Sequence, residues 1–365
     1  MDDTIQPIVS FEKVITALLD NSHPFPPVHL HRFSDISIRD LQLLKESWTQ
    51  IQANRRVALL EDLETLAESD TLVSFDDLGK FALTDPEPGV REVALRLLWE
   101  CEDTSLVPVL IKMVEADPDV KVRSAAATAL GQFIYVGELE EIPENLLHRI
   151  EEKLLQLTMD TGEPKLLRRR ALEAMGFSSR PEINNLIRAA YNKDDPEWLV
   201  TALFAMGRSA NSTWIPSVMD MLDSENQEVL FEAVRAAGEL EAKVARKRLL
   251  RIVKTQPEGS EIRMAGIWAL SKIGGEKVRD TLEAMLESSE DDDEIDLLED
   301  ALENLQFTEG FNQFGLLDYE PESEEELALQ EKYDEMDEDF EDDDLEDDDT
   351  DDDLDLGEDE EDSDS

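Results

Sequence analysis

One cysteine, Cys101, stands among 365 residues, so no intrachain disulfide framework can form and a reducing cytoplasm is the expected compartment. No run of eighteen apolar residues occurs, so no segment is expected to cross a membrane. The opening residues, Met1-Asp2-Asp3-Thr4, are acidic where a secretory leader is basic. Positive charge is scarce: 34 Lys and Arg face 89 Asp and Glu, for a net charge of −55. The shortage is uneven. Residues 318–365 carry 30 acidic residues and one base, Lys332, while residues 1–317 still stand at −26. That balance argues against nucleic acid and against anionic lipid, since both are gripped through Lys and Arg.

Histidine is also rare, with only His23, His29, His31 and His148. His29 and His31 lie two apart in a proline-rich loop with no cysteine nearby, which suits an ordinary polar loop better than a metal site. Asp351-x-Asp353-x-Asp355 begins like a calcium loop, but Leu356 stands where glycine is needed. No phosphate-cradling glycine-rich loop is present; Gly274-Gly275 is an isolated pair. Neither catalysis, a cofactor nor a specific metal is expected. Cys101, after Trp99 and Glu100 at a helix end, reads as a buried small side chain rather than a reactive thiolate.

What the chain has in quantity is repetition. One amphipathic helix is written seven times, starting from Val90, Val122, Leu167, Trp198, Val229, Ile262 and Leu297. Four residues on, a small residue always stands: Ala94, Ala126, Ala171, Ala202, Ala233, Gly266 and Ala301. Eight residues on come Leu98, Leu130, Met175, Met206, Ala237, Leu270 and Leu305. Steps of 31–35 residues, with one of 45, indicate a stacked array of helical pairs rather than a closed domain. Each repeat helix follows a shorter amphipathic stretch and a break such as Asp85-Pro86 or Asp117-Pro118, where proline and a capping Asp open a helix. Gly131, Gly176, Gly207 and Gly238 follow the last core residue, where helices approach closely or a left-handed stop is easiest. The long step predicts a loop over Tyr135–Pro143. Arg91, Arg123, Arg168 and Arg263 sit one residue into their helices, placed to lay their stems on the core and bond an Asp such as Asp119.

The phrase Asp-Pro-Asp-Val-Lys-Val-Arg-Ser-Ala-Ala-Ala-Thr-Ala-Leu-Gly at 117–131 resembles the HEAT-like repeat shared with phycobilisome lyases. The resemblance implies an all-α, HEAT/armadillo-like α-α superhelix of about seven helical pairs whose second helices line the concave face. The expected organisation is an N-terminal helical cap with a Pro/His-rich loop (1–69), the solenoid (70–306), a short apolar linker (307–317) and a disordered acidic tail (318–365). Deoxyhypusine hydroxylases resemble the chain in fold but carry His-Glu pairs, and no His-Glu dipeptide occurs here.

Two surface features carry the functional expectation. On the helical wheel, large apolar groups fall opposite the core in repeats four to six: Val200, Phe204, Phe231, Met264 and Trp268. With Glu173, Arg208 and Arg235 as polar register-setters, they form the expected concave face for a basic protein partner. The second feature is one basic helix in an acidic protein, with Lys243, Arg246, Lys247, Arg248, Arg251 and Lys254, a dock for an anionic partner or for the chain's own tail. The leading expectation is a non-catalytic scaffold or adaptor, with the tail tuning solubility or electrostatics. A chaperone-like bilin lyase of the phycobilisome type is the alternative, because bilin attachment would use a client's cysteine. Oligomeric state is left open.

Overall fold

A computed structural model describes residues 9–275, 277–313, 328–329 and 332–333, and among these every regular element is helical. The expected disorder of 318–365 falls almost wholly outside the described residues. The chain forms two compact units, residues 1–240 and 241–365.

The first unit begins with α1 (Phe11–Leu19), α2 (Ile38–Ser47) and α3 (Ala53–Ser69). Five pairs follow: α4 (Asp76–Ala82) with α5 (Pro88–Leu97), α6 (Val107–Ala116) with α7 (Val120–Glu138), α8 (Glu144–Met159) with α9 (Lys165–Ala174), α10 (Pro181–Tyr191) with α11 (Pro196–Arg208), and α12 (Ile215–Met219) with α13 (Gln227–Glu239). In the second unit α14 (Arg246–Thr255) pairs with α15 (Glu261–Ile273), and α16 (Val278–Ser288) with α17 (Asp292–Gln313). Helix α17 continues past 307, so the stretch expected to be a linker begins as helix. No described helix is long and apolar enough to cross a membrane.

The breaks start helices as their chemistry dictates. Asp119 accepts from the Lys121 and Val122 amides, Asp195 from Glu197, and Asn226 from Glu228 and Val229. Pro181 and Pro196 occupy the first helical position, where a missing N–H costs nothing.

Within the first unit the second helices stack in series, α3 on α5, then α7, α9, α11 and α13. The small residue at the fourth offset is fully buried in Ala94, Ala126, Ala171, Ala202 and Ala233, because backbone of one helix lies against backbone of the next. Two glycines tighten this contact. A Cβ on Gly131 would stand 3.1 Å from the Cα of Ala174, and one on Gly176 would stand 3.1 Å from the Cα of Ala205. Neither has a positive φ, and Gly131 lies inside α7, so close approach and not a left-handed stop is their purpose.

The 45-residue step is not the expected loop over Tyr135–Pro143. Helix α7 runs on to Glu138 with Val136 buried, and α8 is 16 residues long, so the extra material lengthens both helices. Only Leu139–Pro143 connects them.

Candidate functional site

The first-turn arginines hold the stack in register. Arg91 on α5 does not meet Asp119, which is occupied in capping α7. It grips Asp117 instead, Nε donating to Oδ2 at 2.8 Å and Nη2 to Oδ1 at 2.7 Å, while Nη1 donates to the Asp85 carbonyl at 2.7 Å. The same forward reach joins Arg56 to Asp85 at 3.2 Å and Arg123 to Glu163 at 2.8 Å. In the second unit Arg263 reaches Glu294 at 2.6 Å. Arg168 departs from the pattern: it donates to the Thr158 carbonyl and lies over the Trp198 ring.

With the second helices held side by side, one face of the first unit opens as a groove of about 810 Å³. Its walls come from Glu64 and Glu68 on α3, Glu92, Leu95 and Arg96 on α5, Lys121, Ser124 and Thr128 on α7, Leu166, Arg170 and Glu173 on α9, and Phe204 and Arg208 on α11. Arg96, Thr128, Glu173 and Phe204 occupy the sixth offset in four successive repeats, the position opposite the core arc on the helical wheel. The groove thus follows repeats one to four. Its lining carries six carboxylates against four cations. Two of those cations are committed locally, Arg96 to Glu64 through two bonds of 2.8 Å and Arg170 to Glu173 at 2.5 Å.

Arg208 lines the groove and is the centre of an aromatic cluster. Its guanidinium lies 4.3 Å from the Phe204 ring centroid, 4.7 Å from Phe177 and 5.4 Å from Trp99. Three aromatic faces take the place of water around this cation. Burial first, and the neighbouring Arg235 second, pull the Arg208 pKa down to about 10. Arg235 in turn lies 5.0 Å from the Phe204 ring and pairs with Glu232 at 3.3 Å. Glu232 is buried, and that burial pushes its carboxyl up to about 7 against the opposing pull of Arg235.

The residues expected on the concave face divide accordingly. Glu173, Phe204 and Arg208 line the groove, and Arg235 backs Phe204. Glu173 lines it from a buried position: it is 4 % exposed and accepts from the Thr201 hydroxyl at 2.7 Å, which itself accepts from Arg169 at 2.8 Å. Val200 and Phe231 are half-buried and do not line the groove. Met264 and Trp268 belong to the second unit, where Met264 is half-buried and Trp268 is 38 % exposed. Trp99 and Phe177 were not singled out as site residues. Their signal is an aromatic placed just after the last core residue of a second helix, Leu98 in one case and Met175 in the other.

Cys101 is also among the residues that line the groove. Its thiol is buried and donates to Asp76 Oδ2 at 2.8 Å. Burial and the Asp76 carboxylate push the thiol up to about 11. Among the described residues no three His, Cys, Asp or Glu side chains converge as a metal site would require.

The basic helix is less uniform than its sequence implies. Lys243, Lys247 and Lys254 are exposed and Arg246 and Arg251 half-buried, but Arg248 is 4 % exposed. Arg246 lies against Gly275, where a Cβ would stand 2.5 Å from the guanidinium carbon.

Comparison with known proteins returns the HEAT repeats at residues 75–150, 183–260 and 215–303. No curated protein matches the chain. The complex of CpcE and CpcF of phycocyanin lyase from Nostoc sp. is 15 % identical, with a TM-score of 0.47 over 84 % of this chain and 98 % of that one. A crystal structure of importin beta gives 14 %, 0.39, 84 % and 43 %, and a designed armadillo repeat protein gives 20 %, 0.33, 55 % and 99 %.

Proposed function

Because the chain belongs to the HEAT-repeat family, we propose that it is a non-catalytic interaction protein whose first unit holds a basic segment of a protein partner in the groove across α3, α5, α7, α9 and α11. The observation that carries this reading is the groove's own asymmetry. It offers aromatic and aliphatic surface at Trp99, Leu166 and Phe204, ringed by more carboxylate than cation. An apolar centre with a charged rim is the anatomy of a protein-binding surface, in which a few buried aromatics supply most of the affinity. The rim carboxylates Glu68, Glu92 and Glu100 favour Lys and Arg on the partner, and the acidic chain as a whole speeds the encounter. The acidic C-terminal residues act on solubility and on that long-range field.

Fluorescence anisotropy with an array of labelled basic peptides tests the reading. Peptides that also carry large apolar residues should bind. The double substitution Trp99→Ala and Phe204→Ala should weaken them at least tenfold, while removing residues 318–365 should leave them bound. Binding that ignores the groove substitutions but vanishes with the acidic residues would assign it to the tail and overturn the proposal.

A further inference from the structure

The second unit contains a contact that the groove does not explain. Tyr333 lies far along the chain, among thirty acidic residues, yet it is 2 % exposed. Arg248 of α14 stands over its ring at 5.6 Å from guanidinium carbon to centroid, and Lys332 Nζ is 4.9 Å from the same ring. Arg248 is itself 4 % exposed. A guanidinium removed from water is costly unless polarisable faces or anions replace the solvent, and the tyrosine ring is one such face here. In sequence Arg248 is flanked by Lys243 just before α14 and by Arg246, Lys247, Arg251 and Lys254 on it, six bases with Arg248 within twelve residues of a chain of −55.

We propose that the Arg248 face of α14 is a docking site for an aromatic residue carried on an acidic segment, and that Tyr333 is its resident occupant in cis. Two components make the site selective. The surrounding Lys and Arg attract acidic chain at long range, an attraction that weakens as salt shortens the Debye length to about 10 Å at 0.1 M. The Arg248 guanidinium then fixes one aromatic ring, which charge alone does not do. An external acidic segment of the same pattern must displace Tyr333 before it binds. The site does not depend on the groove of the first unit.

The test uses the full-length chain and a fluorescein-labelled peptide of residues 321–340. Wild type, with Tyr333 seated, should bind the peptide weakly. The Tyr333→Ala chain should bind it at least tenfold more tightly, and Tyr333→Phe, which keeps the ring, should behave as wild type. The same peptide with its tyrosine changed to alanine should bind neither chain. Circular dichroism of Tyr333→Ala should retain the wild-type helical signal. Equal peptide binding by wild type and Tyr333→Ala would overturn the cis occupant. Equal binding of the alanine peptide would overturn the aromatic anchor. Melted helices in Tyr333→Ala, with Tyr333→Phe intact, would make Tyr333 ordinary core and overturn the dock.

Discussion

Arg91 and Asp117 belong to different repeats, yet they form a two-pronged pair of 2.8 and 2.7 Å that is nearly closed to water. Truncating one partner of a buried pair strands the other charge, which typically costs about 3–5 kcal/mol. Arg91→Ala should therefore destabilise the first unit by about that much. Arg91→Lys should recover only part of it, because an ammonium does not reproduce the fork. Urea denaturation followed by circular dichroism measures both; a loss under about 1 kcal/mol for the alanine variant would contradict the pairing.

Two Gly→Ala substitutions should have opposite signs. At Gly176 a new Cβ meets the backbone of Ala205 at 3.1 Å and Arg208 Cβ at 3.0 Å, neither of which can swing aside. Overpacking of this kind costs about 1–3 kcal/mol. At Gly89, inside α5, the nearest atom is Val57 Cγ2 at 3.6 Å, an ordinary contact. Alanine there should add about 0.5–1 kcal/mol through helix propensity. The same denaturation series decides both.

Glu232 makes stability depend on pH. Its folded pKa of about 7 lies above the ordinary 4.5, so the neutral carboxyl stabilises the fold fully below pH 4.5 and loses that contribution as pH rises through 7. Glu232→Gln has no such proton to lose. The variant should melt with wild type near pH 4.5 and exceed it at pH 8 by about 1–3 kcal/mol. A stability difference that stays constant between pH 4.5 and 8 would show that Glu232 does not titrate in this range.

Cys101 should be slow to react. With its thiol near 11, only a small thiolate fraction exists at pH 8, and Asp76 accepts its proton. Modification by a maleimide should run well over tenfold slower than in denaturant. Asp76→Asn removes both the acceptor charge and its repulsion of the thiolate, and should accelerate it. Rapid native labelling would contradict the assigned environment.

The stack was readable in the sequence because it depends on one property repeated at one spacing: Ala126, Ala171 and Ala202 are small where backbones touch. The apolar arc and the Asp-Pro breaks are equally local, and Asp85-Pro86 and Asp117-Pro118 stand just before α5 and α7. The partner of Arg91 was not readable, since Asp117 and Asp119 are equally acidic and only the geometry of two neighbouring repeats separates them. The cage around Arg208 draws Trp99, Phe177 and Phe204 from three repeats, and no single-helix pattern brings them together. Tyr135–Glu138 misled because Gly137-Glu138-Leu139-Glu140-Glu141 has the composition of a connection while Val136 still serves the core.

The forward direction of the arginine pairs also bears on synthesis. Arg56 precedes Asp85, Arg91 precedes Asp117 and Arg123 precedes Glu163, so on the ribosome each cation emerges before its anion. Domains fold from the N-terminus as they are made. Over this N-terminal stretch the nascent array therefore ends in an arginine whose acid is still to be translated. There each new repeat seals the one before it and leaves its own end open.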